Sequence, residues 1–437
     1  MDRKSVDVAV IGSGIGGLCL AARLGHAGYK TIVLERMPLI GGRFPWVEYR
    51  GYYLPIAAVT IYYGPRDPVL VTLRDVGDET DFQMKALLPP RWRIGGRDYD
   101  TPEKNMLWHL ISIASRDKQE EEKVIKAMRH AFRWQEPSDS ITFDEWLRQL
   151  TDNKAIWNIF QAWCVQIVGM NLWECTAGDL IRCFINFAGS KQLVPKGGLT
   201  PIVDALVRVI KDSGGEVLTS VEAQEIVVDD GVARGVKATG AGLELDIEAK
   251  VVVSNVGPRK TVELAGPGNF DRGYLEDIKE IRPLSGFWFI VSSDGPLYDW
   301  AGGLYAPESR RWLLGFDHTM TWPEFAPPGN NWMIFYQAPG YQTMYDPVKE
   351  YELFMADLAD LFPNYKKQGT EVLMVRHFAK EWPCVRAWPS YESHQKTPVE
   401  NLYNVGDAVN PPEWMAGSGA AETARIVAED IKARIKT

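Results

Sequence analysis

The stretch Val8-Ala9-Val10-Ile11-Gly12-Ser13-Gly14-Ile15-Gly16-Gly17-Leu18-Cys19-Leu20-Ala21-Ala22-Arg23-Leu24 decides the fold. Four apolar residues form a buried strand, the glycines a tight turn, and the apolar residues beyond them a helix. In such a turn Gly12 permits the bend, Gly14 lets the backbone approach a pyrophosphate, and Gly17 lets the helix pack closely on the strand. Ser13, Ile15 and Gly16 complete the turn, and the helix N-terminus beside it faces negative charge. A second strand, Thr31-Ile32-Val33-Leu34, ends at Glu35, with Arg36 next to it. An acid about 20 residues beyond the glycines stands where a carboxylate accepts the ribose hydroxyls of an adenosine. Strand, turn, helix and acid together predict a dinucleotide-binding unit of Rossmann type.

That unit alone leaves NAD and FAD undecided. Near the far end of the chain, Leu402-Tyr403-Asn404-Val405-Gly406-Asp407 again reads as a strand ending in a turn, and the pair of sites decides for flavin. Gly41-Gly42-Arg43 follows the first acid. Its arginine suits phosphate because a planar guanidinium donates in pairs. Downstream come Val194-Pro195-Lys196-Gly197-Gly198-Leu199, the helical pattern Ile202, Leu206, Val209, Ile210, a hairpin over 225–236, and Val251-Val252-Val253-Ser254-Asn255. In this order the chain resembles the phytoene desaturase branch of the flavin amine oxidase and carotenoid desaturase superfamily, over roughly its first 60 residues, 190–265 and its last 40.

The resemblance implies an α/β fold, with a glutathione reductase-like FAD-binding domain and an interleaved α+β substrate domain. It implies FAD as the cofactor, Arg43 beside its phosphates, Val221 contacting the adenine through the backbone, and Asp407 at the ribityl chain or pyrophosphate. Ile56, Ala57, Asn255, Gly406 and Gly417 complete the cofactor-binding set by the same resemblance, and the helix after the Gly406-Asp407 turn points its N-terminus at the flavin ring.

Residues 1–85, 190–270 and 395–437 read as the FAD-binding domain, and 86–189 with 271–394 as the substrate domain. The 437 residues are enough for two or three domains by the usual prior of about 150 residues each. Residues 101–188 read as helical: Thr142 and Glu145 form a capping box, and Ile156, Phe160, Trp163 and Ile167 recur at helical spacing. The charge run from Asp117 to Lys126 reads as a solvated helix face. Three aromatic runs, 287–291, 311–316 and 331–336, read as strands of an antiparallel sheet.

Composition narrows the function. A net charge of −9 speaks against nucleic acid as a partner. Five dispersed cysteines without CxxC suit a reducing compartment and give neither a disulfide framework nor a zinc site. No metal is expected, since the six histidines are equally scattered. The chain enters its first strand at once, and no apolar run of about 18 residues occurs. The expected location is cytoplasmic, with peripheral membrane contact and oligomeric state left open.

The substrate is read from aromatics. Sixteen tryptophans fall mostly in the substrate domain and predict an apolar or ring-shaped small-molecule substrate. Tyr52, Tyr53, Tyr62 and Tyr63 follow the Gly-Gly-Arg turn, where family members bring the chain under the flavin. In the segment 408–419, Glu413 and Trp414 follow the stiff Pro411-Pro412 pair and are expected on the substrate side of the flavin, with Glu413 as proton acceptor and Trp414 as a wall. Glu413, Trp414 and Tyr52 are thus the candidate catalytic residues. Ser418 stands where amine oxidases carry a cage aromatic, which counts against an amine.

The expected activity is hydride removal from a C–H bond, as in a desaturase or dehydrogenase. The alternatives are an amine oxidase, a non-redox isomerase on the same scaffold, or a binding protein resembling GDP-dissociation inhibitors. Intact Glu35, Arg43 and Asp407 argue against the last. No second dinucleotide fingerprint appears, so electrons pass to oxygen, a quinone or a carrier protein.

Overall fold

The computed structural model describes residues 2–134, 139–240, 242–337, 346–378 and 391–436. Two seven-stranded sheets organise them. The first sheet is laid down by the opening strand Asp2–Ile11, which pairs in parallel with Thr31–Glu35 on one side and Leu243–Ser254 on the other. Val10 lies opposite Val33 and Val253, all fully buried, as expected for a strand covered on both faces. Glu216–Thr219 extends the sheet beyond Thr31–Glu35, again in parallel. Beyond Leu243–Ser254 the pairing changes to antiparallel, through the hairpin Val221–Asp229 and Val232–Gly240. The short strand Leu402–Asn404 lies parallel to the last residues of Leu243–Ser254.

This register brings the ends of remote segments together. Gly12 N donates to Leu34 O at 2.8 Å, Asn255 N to Ile11 O at 2.8 Å, and Val405 N to Ser254 O at 2.9 Å. The glycine turn, Glu35, Asn255 and the Gly406-Asp407 turn therefore share the carboxyl edge of one sheet, where open α/β sheets bind ligands. Behind the turn the helix Ile15–His26 is buried along most of its length, and the last helix, Ala416–Arg434, packs against it.

The second sheet runs in the order Glu371–Phe378, Gly286–Asp294, Asn330–Gln337, Leu313–Phe316, Leu304–Ala306, Arg91–Ile94, Arg97–Tyr99. Its three aromatic central strands pair antiparallel. Leu313 rather than Arg311 opens its strand, because Trp312 has a φ of 51° and still belongs to the preceding turn. One face is sealed by the helix Pro347–Leu361, where Phe354 stacks on Phe289 at 4.1 Å. The opposite face carries Trp288, Tyr336 and Phe316 and looks toward the first sheet's carboxyl edge. Residues 338–345 and 379–390, part of the segment assigned to the substrate domain, lie outside the described residues.

Helices Met106–Ala114, Lys118–Trp134, Phe143–Arg148, Lys154–Val168 and Ala177–Phe187 make the helical block. Thr142 caps the third of these: Glu145 N donates to Thr142 Oγ1 at 3.2 Å and Thr142 N to Glu145 Oε2 at 2.8 Å. Phe143, Phe160 and Phe184 meet beneath that cap. Among the described residues no helix is long and apolar enough to cross a membrane.

Candidate cofactor and substrate site

Between the two sheets lies a cavity of about 570 Å³. Gly12, Gly14, Ile15 and Gly16 line one wall, with Glu35 and Arg36 beside them. Gly41, Gly42, Arg43, Ile56, Ala57, Val221, Asn255, Gly406, Asp407 and Gly417 also face it. Ser13 and Gly17 stand behind this surface and hold it in shape. Ser13 donates twice to Glu35 Oε2, from its N at 2.9 Å and its Oγ at 2.6 Å, while its Oγ accepts from Gly41 N at 3.1 Å. Met37 N reaches the other carboxylate oxygen at 2.8 Å. One serine thus locks the first turn, the acid and the Gly41-Gly42 turn together. Oε2 is thereby filled by its two bonds from Ser13, and Oε1 keeps acceptor capacity for a ligand beyond its bond from Met37 N.

The glycines are needed for close approach. A Cβ on Gly17 would fall 2.3 Å from Gly12 O, and one on Gly14 would fall 2.4 Å from the Asn255 side-chain amide. That amide bridges the two turns: its oxygen accepts from Gly14 N at 3.1 Å and its nitrogen donates to Val405 O at 3.2 Å. Gly14 therefore serves packing against Asn255 as well as the open wall foreseen from sequence.

Across the cavity, Arg43 Nη2 donates to both oxygens of Asp407, at 2.7 and 2.8 Å. Asp407 is 7% exposed and Arg43 27%, so the pair is largely withdrawn from water. Sequence reading assigned the two residues separate ligand contacts; the fold brings them to one point. The helices Ile15–His26 and Ala416–Arg434 both begin at the cavity. Neither has a side-chain cap or an acidic residue in its first turn. Their first N–H groups and positive dipole ends suit an anionic or electron-rich ligand.

The other half of the cavity is walled by Trp288, Phe316 and Tyr336 of the second sheet, by Val165 and Gln166 of the helix Lys154–Val168, and by Tyr62. His318 also lines it. At 1% exposure neither ring nitrogen has a hydrogen-bond partner, and burial pushes its pKa down to about 3, so the imidazole is neutral. The Tyr336 hydroxyl is likewise unpartnered, and burial pushes that phenol up. Of these wall residues, Tyr62 was named individually in the sequence, and Trp288, Phe316 and Tyr336 only as members of the aromatic runs of the substrate domain. The others lie on strands and helices where an aromatic or a glutamine carries no local signature of a ligand.

The three candidate catalytic residues are not brought to the cavity wall. Glu413 sits exposed with a φ of 72°, and its carbonyl accepts from Asn186 Nδ2 at 2.9 Å. The Pro411-Pro412 turn carries it outward rather than over the site. Trp414 packs edge-on to Tyr63, with ring centroids 4.9 Å apart. Tyr52 is buried in the hairpin Trp46–Tyr49 and Tyr52–Pro55 and does not line the cavity, whereas Tyr62 does. Ser418, where a cage aromatic would stand, lines the cavity and gives its hydroxyl to the fully buried Asp67 at 2.7 Å.

Residues 15–432 match the family described as flavin containing amine oxidoreductase. The chain belongs to that family. It is an FAD-dependent oxidoreductase, and the glycine cradle, the uncapped helix ends and the Glu35 carboxylate fit that cofactor. A protein of Methanocaldococcus jannaschii is 23% identical over 97% of this chain and 96% of its own length. A 4,4'-diapophytoene desaturase of a Methylomonas species is 24% identical over 52% of this chain and 49% of its own length, in keeping with the desaturase-like branch. Among solved structures, an oxidoreductase from Methanosarcina mazei superposes with a TM-score of 0.87 at 25% identity, covering 97% of this chain and all of that one.

Proposed function

We propose that this family member removes hydride from a C–H bond of an apolar or ring-shaped small molecule, as a desaturase or dehydrogenase. The observation that carries the reading is the substrate half of the cavity, whose described walls are aromatic, aliphatic or neutral polar and hold no charged side chain. FAD, when bound, accepts the hydride. Loss of hydride leaves an electron-poor carbon, which sheds a neighbouring proton to form C=C or, in an alcohol, the hydroxyl proton to form C=O, and that proton leaves to bulk solvent. Trp288, Phe316 and Tyr336 exclude water from that carbon and orient it against the cofactor. Oxygen, a quinone or a carrier protein then takes up the electrons.

In this reading the Gly12–Gly17 turn and Arg43 face the pyrophosphate, Glu35 the adenosine ribose, and Asp407 the ribityl end. Glu35→Ala is expected to weaken FAD binding by about 1.5–3 kcal/mol, the worth of a charge-assisted hydrogen bond. Titration of flavin-free protein with FAD checks it, and an unchanged Kd contradicts the assignment. The activity itself is tested by mixing FAD-loaded protein anaerobically with apolar candidates and following loss of flavin absorbance. Bleaching by hydrocarbons, alcohols or ring ketones supports the reading. Bleaching by primary amines alone overturns it in favour of amine oxidation.

A further inference from the structure

Every charged side chain lining the cavity among the described residues belongs to the first sheet, its turns, or the helix Pro258–Ala265 beside it. Glu35 and Asp407 are engaged there by Ser13, Met37 and Arg43. None stands on the second sheet or on the helix Lys154–Val168. A cationic substrate entering that half would lose its water and gain no counter-ion, which is costly in a low-dielectric site. The polar groups present are neutral, the imidazole of His318 included.

Like His318 and the Tyr336 hydroxyl, Gln166 is a polar group of this wall without a hydrogen-bond partner among the described residues. It lies two residues before the end of the helix Lys154–Val168, half-buried, with Val165 and Gly169 sharing the same wall. Its amide makes no hydrogen bond to any described residue, whereas Gln192, on the same cavity, accepts from Thr60 Oγ1 at 3.3 Å. An amide offers two N–H donors and a carbonyl acceptor. Covering it with hydrocarbon would strand those groups, and covering it with a hydroxyl or carbonyl would satisfy them.

We propose that the substrate is an uncharged, mainly apolar molecule bearing a hydroxyl or carbonyl oxygen, and that Gln166 binds that oxygen. The inference rests on the reading of the cavity as the site of C–H oxidation. Gln166 is a specificity residue: it holds the oxygen and so fixes which C–H bond lies against the cofactor.

The test uses FAD-loaded protein and three probes of one skeleton: cyclododecanone, cyclododecylammonium and cyclododecane. Binding is read from the flavin spectrum and from tryptophan fluorescence. The ketone is expected to bind at least about tenfold tighter than either of the others. Gln166→Leu removes the preference for ketone over hydrocarbon, and Gln166→Glu shifts selectivity toward the ammonium, both with FAD content unchanged. If the ketone and hydrocarbon bind equally in the wild type, or Gln166→Leu keeps the preference, the role of Gln166 falls while the apolar reading stands. If the ammonium binds tightest, or no probe binds, the apolar reading falls and takes this inference with it.

Discussion

Asp407→Ala yields protein depleted of FAD, with affinity reduced roughly thirtyfold or more, the equivalent of about 2 kcal/mol. Two losses combine. The carboxylate leaves the cavity wall, and Arg43 loses the acceptor that both of its short bonds use. Taking a bidentate carboxylate from an arginine held mostly out of water is costly, so the Gly41–Arg43 turn is expected to rearrange. Glu429 supplies the control: it pairs with Arg425 on the outer side of the last helix and is 58% exposed. Glu429→Ala therefore retains FAD. Equal flavin content in the two variants, measured after purification and again after incubation with excess FAD, would show that the Gly406-Asp407 turn is an ordinary strand end.

Gly17→Ala acts on the fold and the cofactor together. The added methyl lies 2.3 Å from a backbone oxygen of the same turn, so no side chain can move aside to admit it. Overpacking of this kind costs about 1–3 kcal/mol. Here it also separates the first helix from the first strand and spreads the turn that lines the cavity. A lower denaturation midpoint and weaker FAD binding are both expected. Gly268→Ala, where nothing lies within 4 Å of the added atom, should change neither. A Gly17→Ala protein as stable and as yellow as the wild type would mean that the turn relaxes freely, and the close packing would lose its role.

These two predictions draw on the part of the molecule that was legible in the sequence. Gly12, Glu35, Asn255 and Asp407 sit at strand ends, where strand period, glycine spacing and the acid that follows are local signals. Hydrogen bonding along one sheet edge then converts local signals into one wall. The link between Arg43 and Asp407 was not legible, because it joins residues far apart in the chain through a shared edge and not through a pattern. The substrate half was harder still. Trp288, Phe316 and Tyr336 reach the cavity through the register of three strands, and that register depends on pairings no short window displays. Glu413 and Trp414 were misplaced for a related reason. Proximity in sequence to the last helix suggested proximity to the ring, yet the Pro411-Pro412 turn swings Glu413 into solvent before the chain returns through buried Met415.

One cavity is expected to hold FAD along its first-sheet wall and the substrate against its second-sheet wall. A crystal structure of the FAD-loaded protein tests this most directly. Adenosine density is expected at Glu35, pyrophosphate density at the Gly12–Gly17 turn, and the flavin ring between the N-terminus of the last helix and the wall of Trp288 and Tyr336. Density for the ring at the Glu35 end, or for FAD outside this cavity, would contradict it.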